Sequence, residues 1–351
     1  MQNCMVVFKP TNKTIEVSKG TSLMEAARSA GVFLDAPCGG KGHCGKCKVK
    51  VLSGVHEFEK SPLISEDELK QGIRLACLTK IEGDLTVEIL ALDAVNDIMV
   101  EDITSDSSKA GRARKVIEVL KTSGLEIKNG FSLLPLKLSI PSIEDNLSDG
   151  ERIVRDIKRV IGSDNIRIPY SIYRRLPEII RKSDFDVTFT IRKHEDSYEL
   201  IKVDNGRNTN MYGLCVDIGT TTVAACLVDL VTEEIKSSAN SGNLQMQYGA
   251  DVISRIIYST KPGGLERLKE CIVNGTINQL IERMLGELSI TKDDIVCSVF
   301  AGNTTMTHLF LGVDAQNIRL EPYIPAFKIA PDVKAKDIGL SINPEAPVFL
   351  L

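Results

Sequence analysis

The sequence predicts a mixed protein of the α+β and α/β classes that is divided into several domains. Its 351 residues exceed the roughly 150 that are typical of one domain. Alternating strand patterns and amphipathic helix patterns follow one another, and a polar stretch near residue 100 interrupts them. We expect domains over 1–92, 129–208 and 209–351, with a linker at 93–128.

Charge and hydropathy argue against two classes of partner. The chain has 43 Lys and Arg against 47 Asp and Glu, a net charge of -4, so no basic surface for nucleic acid is predicted. No run of about 18 apolar residues marks a membrane span, and the first residues do not resemble a secretion signal. We expect a cytoplasmic protein with neither a nucleic-acid nor a membrane partner.

The first domain combines strand patterns with one short helix. Ser22 and Glu25 form the capping box that begins the helix, and Gly31 suits the left-handed residue that ends it. The strand patterns occupy 5–8, 14–17, 47–54 and 85–90. Two strands, a helix and returning strands in this order predict a β-grasp domain.

The second domain is predicted to be a small α/β unit. A strand pattern at 132–140 precedes a helix with a capping box formed by Ser148 and Glu151. Two alternating segments then flank 194–196 and predict a hairpin. Because the unit carries no cluster of reactive side chains, we interpret it as a structural or docking domain.

The third domain begins near Tyr212 with a strand, a tight Gly/Thr turn and two more strands. A long amphipathic helix is predicted at 265–288, with apolar residues at spacings of three to five. A buried strand at 295–302 then leads to Asn303, a good N-cap for the next helix. This succession predicts an α/β domain.

Four of the nine cysteines have the spacing of metal ligands. The pattern C-x5-C-x2-C-x29-C places three thiols on one Gly-rich loop and the fourth further along, which is typical of a [2Fe-2S] centre. Glycines in the loop allow backbone N–H groups to turn toward the sulfurs and stabilise their negative charge. The predicted ligands are Cys38, Cys44, Cys47 and Cys77. The loop glycines are Gly39, Gly40, Gly42 and Gly45.

Two other metal sites are alternatives. A Cys4 zinc site usually has two C-x2-C pairs, and only one is present. A Rieske centre needs two histidines in place of two cysteines, but His43 and His56 lack the paired spacing. The remaining cysteines lie singly and are predicted to be small buried apolar residues. They are Cys4, Cys215, Cys226, Cys271 and Cys297.

The extra residue after the first cysteine resembles the adrenodoxin-like branch of [2Fe-2S] ferredoxins, which implies one-electron transfer. An acidic stretch lies between the third and fourth ligands, where those ferredoxins meet their redox partners. A face that is merely solvated is the alternative interpretation. The stretch contains Glu57, Glu59, Glu66, Asp67 and Glu68.

A second chemical motif is the segment VDIGTTTVAACLVDL, in which a strand delivers a carboxylate beside a Gly/Thr turn. Backbone N–H groups and hydroxyls in such a turn can bind phosphate oxygens, while the carboxylate reaches hydrated Mg²⁺. The hairpin resembles the first phosphate motif of the acetate and sugar kinase, Hsp70 and actin superfamily. A Thr-rich hairpin without a ligand is the alternative. The predicted ATP-binding residues are Asp217, Gly219, Thr220, Thr221 and Thr222.

Together the two motifs resemble the RACo-like family of reductive activators of corrinoid proteins. Further segments like that family's lie at 247–256, 301–312 and 321–327. The resemblance implies a [2Fe-2S] cluster, ATP and Mg²⁺ as cofactors, and a third domain that is the first half of an actin-like ATPase domain. It also implies one-electron reduction of an inactive Co(II) corrinoid protein to Co(I), with a low-potential electron donor upstream. Asp251 and Asn303 are weaker candidates for the nucleotide cleft.

One departure from that superfamily concerns its second phosphate motif and adenosine loop, which these residues lack. We therefore expect a truncated chain with an incomplete ATPase, and no catalytic residue is predicted. Two alternative functions remain: a plain [2Fe-2S] electron carrier with a scaffold domain, and a metabolite kinase with a redox-sensing domain.

Overall fold

The computed structural model describes residues 3–32, 34, 36, 38, 40–90, 119 and 130–351. Apart from Val119, the predicted linker at 93–128 lies outside the described residues, as does Gly39. The described residues form three sheets. Their strands come from residues 3–89, 131–205 and 212–350 respectively.

The first sheet has the strand order β2-β1-β5-β3-β4. Its strands are β1 (Asn3–Lys9), β2 (Lys13–Ser18), β3 (Lys48–Phe58), β4 (Ile73–Leu75) and β5 (Thr79–Ile89). Helix α1 (Leu23–Ser29) begins at Ser22, whose hydroxyl accepts a hydrogen bond from the Glu25 N–H, and α2 spans Glu66–Lys70. The apolar face of α1 packs into the core of the sheet, which confirms the predicted β-grasp arrangement.

The second sheet has the order β6-β8-β9-β7. Its elements are β6 (Phe131–Lys137), α3 (Asp149–Ile161), β7 (Ile166–Arg167), α4 (Tyr170–Tyr173), α5 (Leu176–Lys182), β8 (Asp186–His194) and β9 (Ser197–Asn205). Ser148 and Glu151 form the predicted capping box. Glu195, with a φ of 51°, turns the chain between β8 and β9.

The third sheet is mixed and has the order β12-β11-β10-β13-β15-β14. The strands are β10 (Tyr212–Ile218), β11 (Thr222–Asp229), β12 (Ile235–Gly242), β13 (Ile295–Gly302), β14 (Val333–Lys334) and β15 (Pro347–Leu350). Its helices are α6 (Val252–Ser259), α7 (Gly264–Ile272), α8 (Asn278–Glu287), α9 (Thr304–Leu311) and α10 (Ala335–Ile338). Because β10 and β13 are parallel and end together, the Gly/Thr turn and the start of α9 lie at one edge of the sheet.

The predicted single helix at 265–288 is interrupted by a π-helical turn at Val273–Ile277, between α7 and α8. The apolar stripe explains the interruption, because it steps by five residues from Ile272 to Ile277. An i to i+5 turn keeps residues at that spacing on the same face, and both side chains are fully buried.

The second and third units share a small core of their own. Phe131 and Ile201 from the second unit pack with Met211 and Val296 of the third. The second unit is therefore held against the third by apolar contact. None of the described helices combines the length and the apolar character that a membrane span requires.

His308, on α9, contacts the segment 321–327 and holds it against the rest of the third unit. Its Nδ1–H donates to the Thr304 carbonyl (2.7 Å), and Nε2 accepts from the Ala326 N–H (3.1 Å). The ring stacks on Phe327 with centroids 4.0 Å apart. Since Nε2 accepts a hydrogen bond, the buried ring is neutral in this arrangement, and burial lowers the pKa of His308.

This histidine predicts a loss of stability in acid. Because the folded-state pKa lies below the unfolded value of about 6.5, the contribution of His308 to the free energy of unfolding is fully present above about pH 6.5. It is lost as the pH falls toward the folded-state pKa. We expect the thermal midpoint to fall between about pH 7 and pH 5.5. His308→Phe is expected to lower the free energy of unfolding by about 1–3 kcal/mol at neutral pH and to make the thermal midpoint depend less on pH. Part of the pH dependence should remain, because burial also lowers the pKa of His56. An unchanged pH dependence in the variant would contradict the assignment.

Candidate functional site

The first candidate site is assembled by the pairing of β3 with β4. Lys48 lies opposite Leu75 in this antiparallel pair, and the Ala76 N–H donates to the carbonyl of Cys47 (2.9 Å). The next residue, Cys77, therefore lies beside Cys47, and their Sγ atoms are 3.4 Å apart. Cys47 is 1% exposed.

The loop between α1 and β3 holds a second pair of thiols. The Sγ atoms of Cys38 and Cys44 are 3.3 Å apart, too far for a disulfide bond. Within the described ranges, no three or more His, Cys, Asp or Glu side chains are grouped to hold one metal ion. A single tetrahedral zinc would need all four sulfurs within about 3.8 Å of one another. The structure shows two close pairs, and a [2Fe-2S] cluster takes two thiolates at each of its two irons.

Hydrogen bonds and burial set the ionisation of these thiols. Burial opposes ionisation of Cys38, but its contact with Cys44 and three backbone hydrogen bonds from residues 40–43 lower its pKa to about 7. Contact with Cys77 lowers the pKa of Cys47 to about 7. The pKa of Cys44 is raised by burial, and that of Cys77 by its contact with Cys47. Each pair thus favours one thiolate, and metal binding would displace the remaining proton.

The loop needs glycine where it turns. Gly40, Gly42 and Gly45 have φ values of 92°, 77° and 68°, in the left-handed region. Side chains also pack closely over the loop, because a β-carbon on Gly42 would lie 3.1 Å from Leu78 and one on Gly45 3.1 Å from Leu63. The leucines cover the loop with apolar groups.

The other candidates of the first domain are two histidines and the acidic stretch. His43 is exposed, and the ring nitrogens of His56 are buried without a partner in the part of the chain that the structure describes. Of the acidic stretch, Glu68 caps α2 and pairs with Lys48, whereas the other four carboxylates are exposed.

The five remaining cysteines only partly match their predicted burial. Cys4 and Cys297 are buried, at 2% and 7% exposure. Cys215, Cys226 and Cys271 are half-buried, so the prediction that these three are buried holds only in part. Cys215 and Cys226 lie opposite each other because the β10–β11 hairpin pairs them.

The second candidate site is the turn between β10 and β11. A β-carbon on Gly219 would lie 2.5 Å from the Thr222 carbonyl oxygen, so only glycine fits this close turn. Asp217, Thr221 and Thr222 are exposed at the edge where β10 and β13 end. No hydrogen bond or ion pair to another described residue engages the Asp217 carboxylate. A free carboxylate beside a narrow turn fits the predicted binding of Mg²⁺ and phosphate, which stays a prediction.

Two buried residues that the sequence did not single out hold this turn in place. The Asn243 side-chain amide donates to the Gly219 carbonyl (2.8 Å), and its backbone N–H donates to the Thr221 carbonyl (2.8 Å). Arg255 Nη2 donates to the Thr220 carbonyl, and Nε donates to Gly249 (2.9 Å). The only sequence signal was that Arg255 lies in the segment 247–256.

Replacing Arg255 tests its role in the turn. The guanidinium is completely buried, and burial lowers its pKa to about 10, so it remains charged near neutral pH. Arg255→Met leaves the carbonyls of Thr220 and Gly249 without a donor, and we expect a loss of about 1–3 kcal/mol in the free energy of unfolding. Denaturant unfolding measures this loss, with the exposed Arg175→Met as the control. Equal stability of the two variants would contradict the role.

The two weaker candidates are helix caps. Asp251 begins α6 and accepts a hydrogen bond from the Ser254 N–H (2.9 Å), and Asn303 begins α9 and accepts one from the Met306 N–H (3.0 Å). Their side chains therefore have a structural role.

Comparison with protein families finds three matches in order along the chain. Residues 6–82 match the 2Fe-2S iron-sulfur cluster binding domain, 121–210 the RACo linker region, and 212–351 the RACo middle region. The predicted second domain thus corresponds to the family's linker region, and the predicted third domain to its middle region. The first match supports a [2Fe-2S] cluster in the first domain.

Similar proteins extend the match over the whole chain. The corrinoid activation enzyme RamQ of Eubacterium limosum is 28% identical over an alignment 351 residues long, which covers 99% of this chain and 52% of RamQ. A solved structure of a reductive activator for a corrinoid, iron-sulfur protein is 34% identical, with a TM-score of 0.56 over 99% of this chain and 55% of that one. A component of the Na(+)-translocating NADH-quinone reductase of Mannheimia succiniciproducens is 42% identical over 79 residues, which are 22% of this chain and 19% of that component. The chain spans about half the length of the first two.

Proposed function

We propose that this chain, which belongs to the RACo-like family, delivers one electron to a corrinoid protein and so returns inactive Co(II) to Co(I) in an ATP-dependent step. The observation that carries the proposal is the arrangement of four thiols in two pairs within the domain that matches 2Fe-2S proteins. Cys38, Cys44, Cys47 and Cys77 would be the ligands. A low-potential electron donor would act upstream, in the cytoplasm.

The chain's own residues explain how a charged centre is held. A [2Fe-2S] cluster, when bound, supplies a one-electron carrier. The backbone N–H groups of Gly40, Lys41 and His43 donate to the sulfur of Cys38 and stabilise the negative charge there. Leu63 and Leu78 place apolar side chains against the glycine turns beside them. Such apolar packing and donation are what set the potential of an iron-sulfur site.

The turn after β10 would supply the ATP dependence. Asp217 would bind Mg²⁺ through water, and the N–H and hydroxyl groups of 219–222 would hold phosphate oxygens. Reduction of Co(II) from a ferredoxin-type potential of about −400 mV is uphill, as the family resemblance implies, so energy must be added. Coupling between two sites typically contributes 1–3 kcal/mol, or about 5- to 150-fold in an equilibrium constant.

Anaerobic reduction of a Co(II) corrinoid, iron-sulfur protein tests this function. The chain is loaded with its cluster, chemically reduced and mixed with the corrinoid protein, and Co(I) is followed by its visible spectrum with and without Mg-ATP. We expect Co(I) to form faster and further with ATP. Equal formation without nucleotide would favour a plain electron carrier, and a phosphorylated metabolite would favour a kinase. A colourless protein that contains zinc would exclude every redox function.

A further inference from the structure

Arg28, near the end of α1, lies between the first and third units. Its Nη2 donates to the Gln247 carbonyl (2.5 Å), and its guanidinium lies over the Tyr248 ring, 5.2 Å from the centroid. On the other side it approaches the loop of the thiol site. A β-carbon placed on Gly40 would lie 3.8 Å from Arg28 Nη2 and 3.8 Å from the Cys77 β-carbon. One side chain thus contacts the third unit and lies close to the loop that carries the thiols.

The segment that Arg28 contacts is itself joined to the phosphate-binding turn. Gln247 and Tyr248 end a 3₁₀ turn, Leu244–Tyr248, that begins at Asn243. Asn243 holds the carbonyls of Gly219 and Thr221, as described above. Side-chain and backbone hydrogen bonds therefore run from the phosphate-binding turn through residues 243–248 to Arg28.

The positive charge of Arg28 would affect the reduction of a nearby cluster. A [2Fe-2S] cluster with four thiolates has a formal charge of −2, which becomes −3 on reduction, so a nearby cation favours the reduced state. The Arg28 Nε is buried with no hydrogen-bond partner among the described residues, and no described carboxylate forms an ion pair with the guanidinium. The guanidinium therefore has no carboxylate in direct contact among the described residues, although Glu25 and Glu270 line the same cleft.

We propose that Arg28 is a positioning residue that joins the phosphate-binding turn to the cluster loop, so that a change at the turn alters the reduction potential of the cluster. This inference rests on the proposed function for the cluster and the nucleotide. It adds the residue through which the two sites communicate.

The cleft around Arg28 provides a matched control. It has a volume of about 1000 Å³ and is lined by both units. Lys261, in the same cleft, lies over the Tyr258 ring, 5.3 Å from the centroid, and has no contact with Gly40. Lys261→Gln therefore removes one positive charge from the cleft without breaking the connection.

The experiment measures the midpoint potential of the cluster-loaded chain by spectroelectrochemical titration in the absence of nucleotide. In Arg28→Gln we expect the equilibrium constant for reduction to fall about tenfold, which is about 59 mV for one electron. In Arg28→Lys, which keeps the charge, we expect a smaller fall in the midpoint potential than in Arg28→Gln. In Lys261→Gln we expect a fall of less than half that in Arg28→Gln. Hydrogen exchange of the cluster-free chain is the second measurement, with faster exchange at amides 219–222 and 243–248 in Arg28→Gln. Potentials and exchange rates equal to those of Lys261→Gln would overturn the proposal.

A nucleotide titration separates this proposal from the function on which it rests. Calorimetry first shows whether Mg-ATP binds. If ATP does not bind, the ATP dependence of the proposed function fails, and the nucleotide-free measurements still decide the role of Arg28. If ATP binds, it should shift the potential of the unmodified chain but not that of Arg28→Gln. An equal shift in both would overturn the connection.

Discussion

Cys77→Ala is expected to remove the cluster and all electron transfer to a corrinoid protein. The variant leaves Cys47 without Cys77 beside it, so one iron lacks a protein ligand. Loss of a hydrogen-bond partner of a ligand already costs about 10- to 100-fold in metal affinity, so loss of a ligand should cost at least tenfold. Iron and sulfide analysis and the visible spectrum of the purified chain measure the result.

The control for this variant is Cys271→Ala. Cys271 is also half-buried, and its sulfur accepts a hydrogen bond from the Gln247 side chain (3.3 Å), remote in sequence from the four candidate ligands. We expect it to retain full iron content. If Cys77→Ala also keeps two irons per chain, Cys77 is not a ligand.

Asp217→Asn is expected to weaken the binding of ATP in the presence of Mg²⁺ by at least about tenfold, or about 1.4 kcal/mol. The substitution keeps the shape of the side chain but removes the negative charge that would attract the cation. Since the carboxylate is exposed and engages no described partner, the fold should be unaffected. Calorimetric titration of the chain with Mg-ATP measures the loss.

Asp196→Asn is the matched control, because Asp196 is an exposed carboxylate in the hairpin of the second unit. It should bind ATP as the unmodified chain does. A second comparison, without Mg²⁺, shows whether Asp217 acts through the cation, since the variant should then differ little from the unmodified chain. A tenfold difference that persists without Mg²⁺ would contradict that role.

Local patterns predicted most individual elements. Capping residues located α1 and α3 because the hydrogen bonds of a cap involve residues three apart. The alternation in β8 and β9 predicted a hairpin, because the two strands are adjacent in the chain and are joined by a short turn. The division of 265–288 by a π turn was not predicted, although the spacing of five between Ile272 and Ile277 contained the signal.

The sequence predicted the residues of the candidate site but not their arrangement. The cysteine spacing identified a metal-binding loop and a distant fourth thiol, but it did not show that the thiols form two pairs. The pairing of Cys47 with Cys77 depends on the register of β3 with β4, which no local pattern specifies. Likewise the motif around Asp217 indicated a phosphate-binding turn without showing which buried side chains support it.

The sequence by itself determined the chemistry available to this protein, because thiols at ligand spacing and a carboxylate beside a Gly/Thr turn are visible in the residue types and their spacing along the chain. Only the tertiary structure decided which groups act together. Arg28 contacts Gln247 across 219 residues of chain, and Arg255 reaches Thr220 across 35. Such contacts leave no periodic trace in the sequence, since they depend on how sheets and helices pack after each has formed. The physical link between the two chemical motifs is therefore a property of the fold.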